Sequence, residues 1–334
     1  MSKKIALIAI GGNALLKEKE RGYQEEQLEN ARECAEMFGN VIKAGFSLCV
    51  VHGNGPQVGN ILIQQETGAN RTPPYTLDIC DAMTQGSMGY MLESRLINRL
   101  SYMGLDTPVT TVLTEVVVDK DDPGFRNPTK PVGPFYREFR ALELIKEKGW
   151  TMKEDSGRGW RKVVPSPKPL EIVQLAAVKL LLEAGHCVIA GGGGGIPVIR
   201  DASGFLVGVE AVIDKDRASA TLARNVGADT LIILTDIEKV AVDFRTPGQR
   251  FLDRMTVSEA RGYLDGGQFA AGSMGPKIEA AITFLAPRME RSLDSFMEKG
   301  TKPGRSQLKV IITSLQSAAE VANGTTGTII TPDQ

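Results

Sequence analysis

Three glycine turns and three lysines are the parts of this 334-residue sequence with residue types suited to chemistry. Gly11, Gly12 and Asn13 follow the apolar run Ile5 to Ile10, Gly53, Asn54 and Gly55 follow Phe46 to Val51, and five glycines from Gly191 to Gly195 follow HCVIA. Successive backbone N–H groups at a strand end form a concave anion site, and glycine allows both the dihedrals and the close approach. In the third turn the candidate contacts are Gly192, Gly193 and Gly194. Lys215 stands in VIDKDRAS, where Asp214 can cap a helix whose exposed N–H groups favour phosphate and Asp216 can orient the lysine. Lys277 stands in GSMGPK, with Pro276 suited to a first helical position, and Lys130 lies between prolines in NPTKPVGPFY. Ammonium groups around a glycine-lined anion site are the equipment of phosphate chemistry.

The residues that are scarce point the same way. Only two histidines occur, His52 and His186, and the four cysteines are scattered with no CxxC pair, so buried reduced thiols are expected rather than a zinc site. No Ser/His/Asp set and no acidic pair at useful spacing can be picked out. His52 is expected to hydrogen-bond within its turn, His186 to pack as a neutral imidazole, and Asp236 to cap a turn or helix after its strand. Phosphoryl transfer to a nucleophile that is already anionic needs positioning and charge neutralisation but no general base.

The elements that must position these groups read as a repeated unit of helix, glycine stop, buried strand and glycine turn. Leu28, Ala31, Ala35, Phe38 and Ile42 mark one amphipathic helix closed by Gly45, and a second is expected from about Leu170 to Ala184, closed by Gly185. Such units imply right-handed crossovers and a mostly parallel sheet covered on both faces, with ligands at the carboxyl ends of the strands. The glycine run leads through Pro197 into a hairpin with no immediate helix, which argues against a dinucleotide fold, and there is no GxxxxGK[ST] loop. Residues 119–167, rich in proline, glycine and charge, read as a protruding lid subdomain outside the main sheet. Strand LIILTD, a helix near Val257 to Leu264, a helix opening at Gly275 to Lys277, and strands KVIITS and GTIIT follow, with 285–306 as a charged surface insertion. Hydrophobic residues at 42%, charged residues at 24% and a net charge of −1 give no basic excess for nucleic acid or an anionic membrane. The first apolar run is too short for a signal peptide or a bilayer span, so a cytoplasmic protein is expected.

At these residues the sequence resembles the carbamate kinases, a branch of the amino-acid-kinase superfamily, over nearly its whole length. The stretches that carry the resemblance are AIGGNAL, HGNGPQVGN, TQGSMGY, DPGFRNPTKPVGPFY, WRKVVPSPKP, VIAGGGGGIPV, GVEAVIDKDRAS, LTDIEKV, GSMGPKIEAA and IITS followed by GTTGT. The resemblance implies an α/β fold, a three-layer αβα sandwich spanning 1–334 with the 119–167 lid inserted, assembled as a homodimer and using ATP or ADP with Mg²⁺ carried on the nucleotide. It implies that Gly11, Gly12, Asn13, Gly53 and Asn54 receive carbamate and the phosphoryl group of carbamoyl phosphate, and that Lys215 and Lys277 neutralise the phosphates. Asp216 would hold those lysines, Lys130 would reach in from the lid, and Asp236, Val240 and Met274 would flank the adenine. Two departures stand out: Ile10 precedes Gly11 where many superfamily relatives carry a lysine, an absence that carbamate kinases share, and the stretch Met289 to Arg305 is longer than the family pattern. Two other readings stay open: a same-fold kinase with a different small anionic acceptor, and a catalytically silent ligand-sensing paralogue.

Overall fold

The computed structural model describes residues 3–333 except 18, 156, 271, 288–307, 316 and 318–325. From the N-terminus, β1 (Ile5–Ile10) leads through α1 (Gln24–Lys43) to β2 (Ser47–His52), α2 (Gly55–Gly68), α3 (Leu77–Tyr102), β3 (Val109–Val112) and β4 (Glu115–Val118). A segment with α4 (Pro123–Arg126), β5 (Lys130–Tyr136), α5 (Glu138–Lys148), β6 (Met152–Glu154) and β7 (Trp160–Val164) follows. Then come β8 (Pro169–Ile172), α6 (Leu175–Glu183), β9 (Cys187–Ala190), β10 (Ile196–Arg200), β11 (Leu206–Gly208), α7 (Lys215–Val226) and β12 (Thr230–Thr235). The described elements end with β13 (Ala241–Val242), β14 (Arg250–Phe251), β15 (Arg254–Thr256), α8 (Val257–Asp265), α9 (Met274–Leu285), β16 (Lys309–Ser314) and β17 (Thr328–Thr331).

The main sheet runs β15-β17-β16-β12-β1-β2-β9-β3, parallel throughout except between β16 and β17. Along β1, Ala6, Ile8 and Ile10 point to one face and Leu7 to the other, as the twofold period of a strand requires. The first face is covered by α1 and α3 through Phe38, Leu92 and Leu96, the second by α6, α7 and α9 through Leu182, Leu222 and Phe284. Burying a side chain as large as Phe38 or Phe284 stabilises the fold by roughly 2 kcal/mol. Two cores on two faces make the expected three-layer αβα sandwich. All four cysteines lie buried as free thiols.

The strand ends are level. β1 and β2 pair up to Ile10↔His52, β2 and β9 through Val50↔Ile189, and β1 and β12 through Ala9↔Ile233. Continued past the strand ends, these registers put Gly11, Gly53, Gly192 and Thr235 in one row.

Outside this sheet, β5, β7 and β6 form an antiparallel sheet backed by α5, with a small core of Ala141, Leu144 and Met152 against Tyr136, Trp150 and Trp160. The hairpin after the glycine run is β10 with β11, and it joins β4 and β8 in a further sheet. That pairing corrects the expected helix from Leu170: residues 169–172 are strand β8, held by Val116↔Ile172, and the helix occupies Leu175–Glu183. Burial along these four residues follows no twofold alternation, and the pairing of Ile172, Glu171 and Pro169 with the edge of β4, not a local period, decides for the strand. Of the surface insertion expected at 285–306, Leu285 is instead the buried last residue of α9, and 288–306 lie outside the described residues.

Candidate active site

Asp214 is where the site begins to assemble. Its side chain caps α7 by accepting from the backbone N–H of Asp216 at 3.0 Å and of Arg217 at 3.3 Å. Those two donors are therefore occupied by the cap that the sequence predicts. The lysines carry the positive charge instead. Lys215 Nζ lies 2.7 Å from Asp216 Oδ1, and Lys277 Nζ, from the first turn of α9, lies 3.2 Å from Asp216 Oδ2. Asp216 is 4% exposed, and the lysines, at 15% and 14%, are sunk to their tips. Burial pushes the Asp216 carboxyl up, but the two ammonium groups overcome it and hold the acid at about 2.

Lys277 comes within reach because α9 packs against α7, where the Arg217 guanidinium donates to Glu279 Oε2 at 2.7 and 3.0 Å. α9 starts at Met274, so Pro276 sits third in the helix and not first. The third lysine arrives from the opposite direction: Lys130, the first residue of β5, places its Nζ 2.9 Å from Asp214 Oδ2. Burial opposes ionisation of Asp214, and Lys130 pulls its pKa below the ordinary carboxylate range. Three ammonium groups thus gather on two adjacent carboxylates, leaving an excess of positive charge.

The glycine turns meet this cluster. A side chain at Gly53 would strike the Gly12 nitrogen at 2.9 Å and Lys215 Cδ at 3.0 Å, so the lysine stem lies across the first two turns. Asn13 is exposed beside them, and Gln57 steadies the turn by donating to the Gly12 carbonyl at 3.2 Å. Gly192, Gly193 and Gly194 are buried, and a Cβ on them would overlap His52, Asn54 and the carbonyl of Ile213 respectively. Packing of the protein on itself thus already requires glycine there. His52 sits within its turn as expected, Nδ1 at 3.2 Å from the Gly53 carbonyl, and burial lowers its pKa to about 4, so it is neutral.

Asp236 is exposed just past the end of β12, and Met274 is half-buried at the start of α9. Val240 departs from its expected place at the adenine: it is fully buried in the larger core, and its N–H is taken by Thr328 Oγ1 at 2.8 Å.

α3 contributes polar groups that sequence reasoning missed as individuals. Asp81, Thr84 and Gln85 are all buried, and they tie three turns together. Asn54 Nδ2 donates to Asp81 Oδ1 and to Thr84 Oγ1, each at 2.9 Å, while Gln85 bonds the Gly192 carbonyl and both backbone groups of Thr114. The available signal was helical spacing of polar residues on the face that elsewhere carries Met88 and Leu92.

Residues 4–288 match the amino acid kinase family, and the chain belongs to that family. Within it, the similar relatives are carbamate kinases. The carbamate kinase of Thermococcus kodakarensis is 45% identical over 328 residues, covering 97% of this chain and 98% of the relative, and that of Clostridium perfringens is 46% identical over 282 residues, covering 84% and 90%. The structure of carbamate kinase from Giardia lamblia bound to AMP-PNP superposes with a TM-score of 0.87 at 40% identity, covering all of both chains.

Proposed function

We propose that this chain is a carbamate kinase, catalysing ATP + carbamate ⇌ ADP + carbamoyl phosphate and running toward ATP in catabolism, such as arginine breakdown. The observation that carries the reading is the convergence of Lys215 and Lys277 on Asp216 beside the Gly12–Gly53 contact. In the ATP-forming direction a β-phosphate oxygen of ADP attacks phosphorus, the P–O bond to the carbamoyl group breaks, and carbamate leaves as an anion. No proton moves in this exchange, which fits a site with a neutral His52 and with Asp214 and Asp216, the carboxylates that meet the lysines among the described residues, both ion-paired. The glycine turns with Asn13 and Asn54 hold the carbamoyl end, Lys215 and Lys277 lie along the transferring phosphoryl group, and Asp216 keeps the two ammonium tips at a set separation. Asp236 and Met274 flank the nucleotide base.

Mg²⁺ would supply further neutralisation of phosphate charge. The proposal carries the ion on the nucleotide phosphates; among the described residues there is no group of three His, Cys, Asp or Glu side chains that could hold a metal. Residues 119–167 act as a lid that brings Lys130 to the site. Support for this comes from their separate sheet, from the Lys130–Asp214 contact, and from a cavity of about 330 Å³ between that sheet and α2, lined by Leu62, Val132, Pro134 and Trp150. The cavity lies beside the lysine cluster and not at it, which leaves room for β5 to shift.

A homodimer is supported by α3, whose Ile79, Met83, Tyr90 and Ile97 form an exposed stripe at helical spacing. No described helix is long and apolar enough to cross a membrane, and a cytoplasmic location is part of the proposal. The test is a coupled assay of ATP formation from ADP and synthetic carbamoyl phosphate. Steady turnover is expected, and absence of ATP with folded protein would refute the reading.

A further inference from the structure

Asn54 is held in one orientation by two buried side chains of α3. Its carboxamide nitrogen spends both hydrogens on α3, one on Asp81 Oδ1 and one on Thr84 Oγ1. The nitrogen and oxygen ends of an amide are told apart by their partners, and here Thr84 decides. The Thr84 hydroxyl hydrogen goes to the Asp81 carbonyl at 2.7 Å, so Thr84 Oγ1 has only lone pairs to offer Asn54 and must face an N–H. On the other side Gly193 leaves room for the carboxamide, which a Cβ there would overlap. The oxygen, Asn54 Oδ1, has no partner among the described residues.

We infer that Asp81 is a positioning residue that, with Thr84, turns the Asn54 carboxamide oxygen toward the substrate as an acceptor for the amino group of carbamate and carbamoyl phosphate. This rests on the carbamate kinase reading above. An outward oxygen facing the phosphoryl anion would repel it, whereas facing the N–H₂ it selects an acceptor that carries hydrogen over one that carries a methyl group. The Asp81 side chain is 1% exposed, and its Oδ2 has no hydrogen-bond partner. Burial pushes its carboxyl well above the ordinary range against the Asn54 bond, and Asp78 and Glu210 push in the same direction as burial.

The experiment compares carbamoyl phosphate with acetyl phosphate, in which methyl replaces the amino group, as phosphoryl donors to ADP. The wild-type ratio of kcat/KM is expected to favour carbamoyl phosphate by on the order of 10²-fold or more, since a site built to bond an N–H rejects the analogue without it. Asp81→Leu should lower that ratio at least about tenfold with KM for ADP little changed, Thr84→Val should lower it similarly, and Asp81→Asn, which keeps an acceptor, should stay within about threefold of wild type. An unchanged ratio in folded Asp81→Leu overturns the inference, as does a loss in Asp81→Asn equal to that in Asp81→Leu. If Asp81→Leu does not fold, Thr84→Val decides, and an unchanged ratio there overturns it. A wild-type protein that forms ATP from neither donor sinks the carbamate kinase reading and this inference with it; an active wild type with unmoved variants sinks this inference alone.

Discussion

Lys215 and Lys277 share one carboxylate, and that arrangement makes their contributions separable by experiment. Removing a charge that meets the transferring phosphoryl group should lower turnover on the order of 10²-fold or more, so Lys215→Ala is expected to show that loss in kcat while its thermal unfolding stays cooperative. Unchanged turnover would remove Lys215 from the proposed machinery. Asp216 makes a different prediction, about stability. Its folded pKa of about 2 is depressed from an ordinary 3.8, so it contributes stability that is present above about pH 4 and lost as the pH falls through 2. The shift corresponds to on the order of 2 kcal/mol. Urea unfolding of wild type and Asp216→Asn should therefore differ most near pH 6 and converge toward pH 2, and a constant difference across that range would contradict the account. The sequence shows both lysines and Asp216 plainly, because each sits at a helix start in a short motif. It does not show that Asp214, legible as a cap, also receives Lys130, since those two residues are 84 apart in the chain.

β5 and α2 meet backbone to backbone, and this contact determines how close Lys130 comes. A Cβ on Gly59 would lie 3.5 Å from the Gly133 Cα, and Gly133 itself has φ +71. Gly59→Leu should push β5 outward and draw Lys130 away from Asp214. About a tenfold or greater fall in kcat is expected, with KM for ADP unchanged, because small displacements of a positioned charge are expensive in rate. Steady-state kinetics at saturating ADP would check it, and a variant with wild-type kcat would argue against the lid's part in catalysis. Where an element carries its own start, period and stop, as α1 does with its three-and-four spacing and Gly45, the sequence reads correctly. Where two periods compete over a few residues, as at 169–172, only the neighbouring strand β4 settles the matter, because a strand has no internal hydrogen bonds of its own.

At the scale of the whole molecule, the exposed α3 stripe predicts assembly. Tyr90→Glu places a charge in its middle and should convert a dimer to monomer by sedimentation equilibrium, while a dimer that survives the change would place the interface elsewhere. The two-sided core was visible in advance, since apolar runs such as IALIAI can be buried only between two helical layers. By itself the sequence determined the αβα architecture, the glycine turns at strand ends and the identities of the three lysines, because periodicity, turn chemistry and capping are local and are written in neighbouring residues. Tertiary structure alone decided that Asp81 and Thr84 grip Asn54, that the glycine run is packed by His52 and Asn54, and that Val240 belongs to the core. Those are contacts between segments far apart in the chain, and side-chain partners across such distances follow from the packing of whole layers, not from any local pattern.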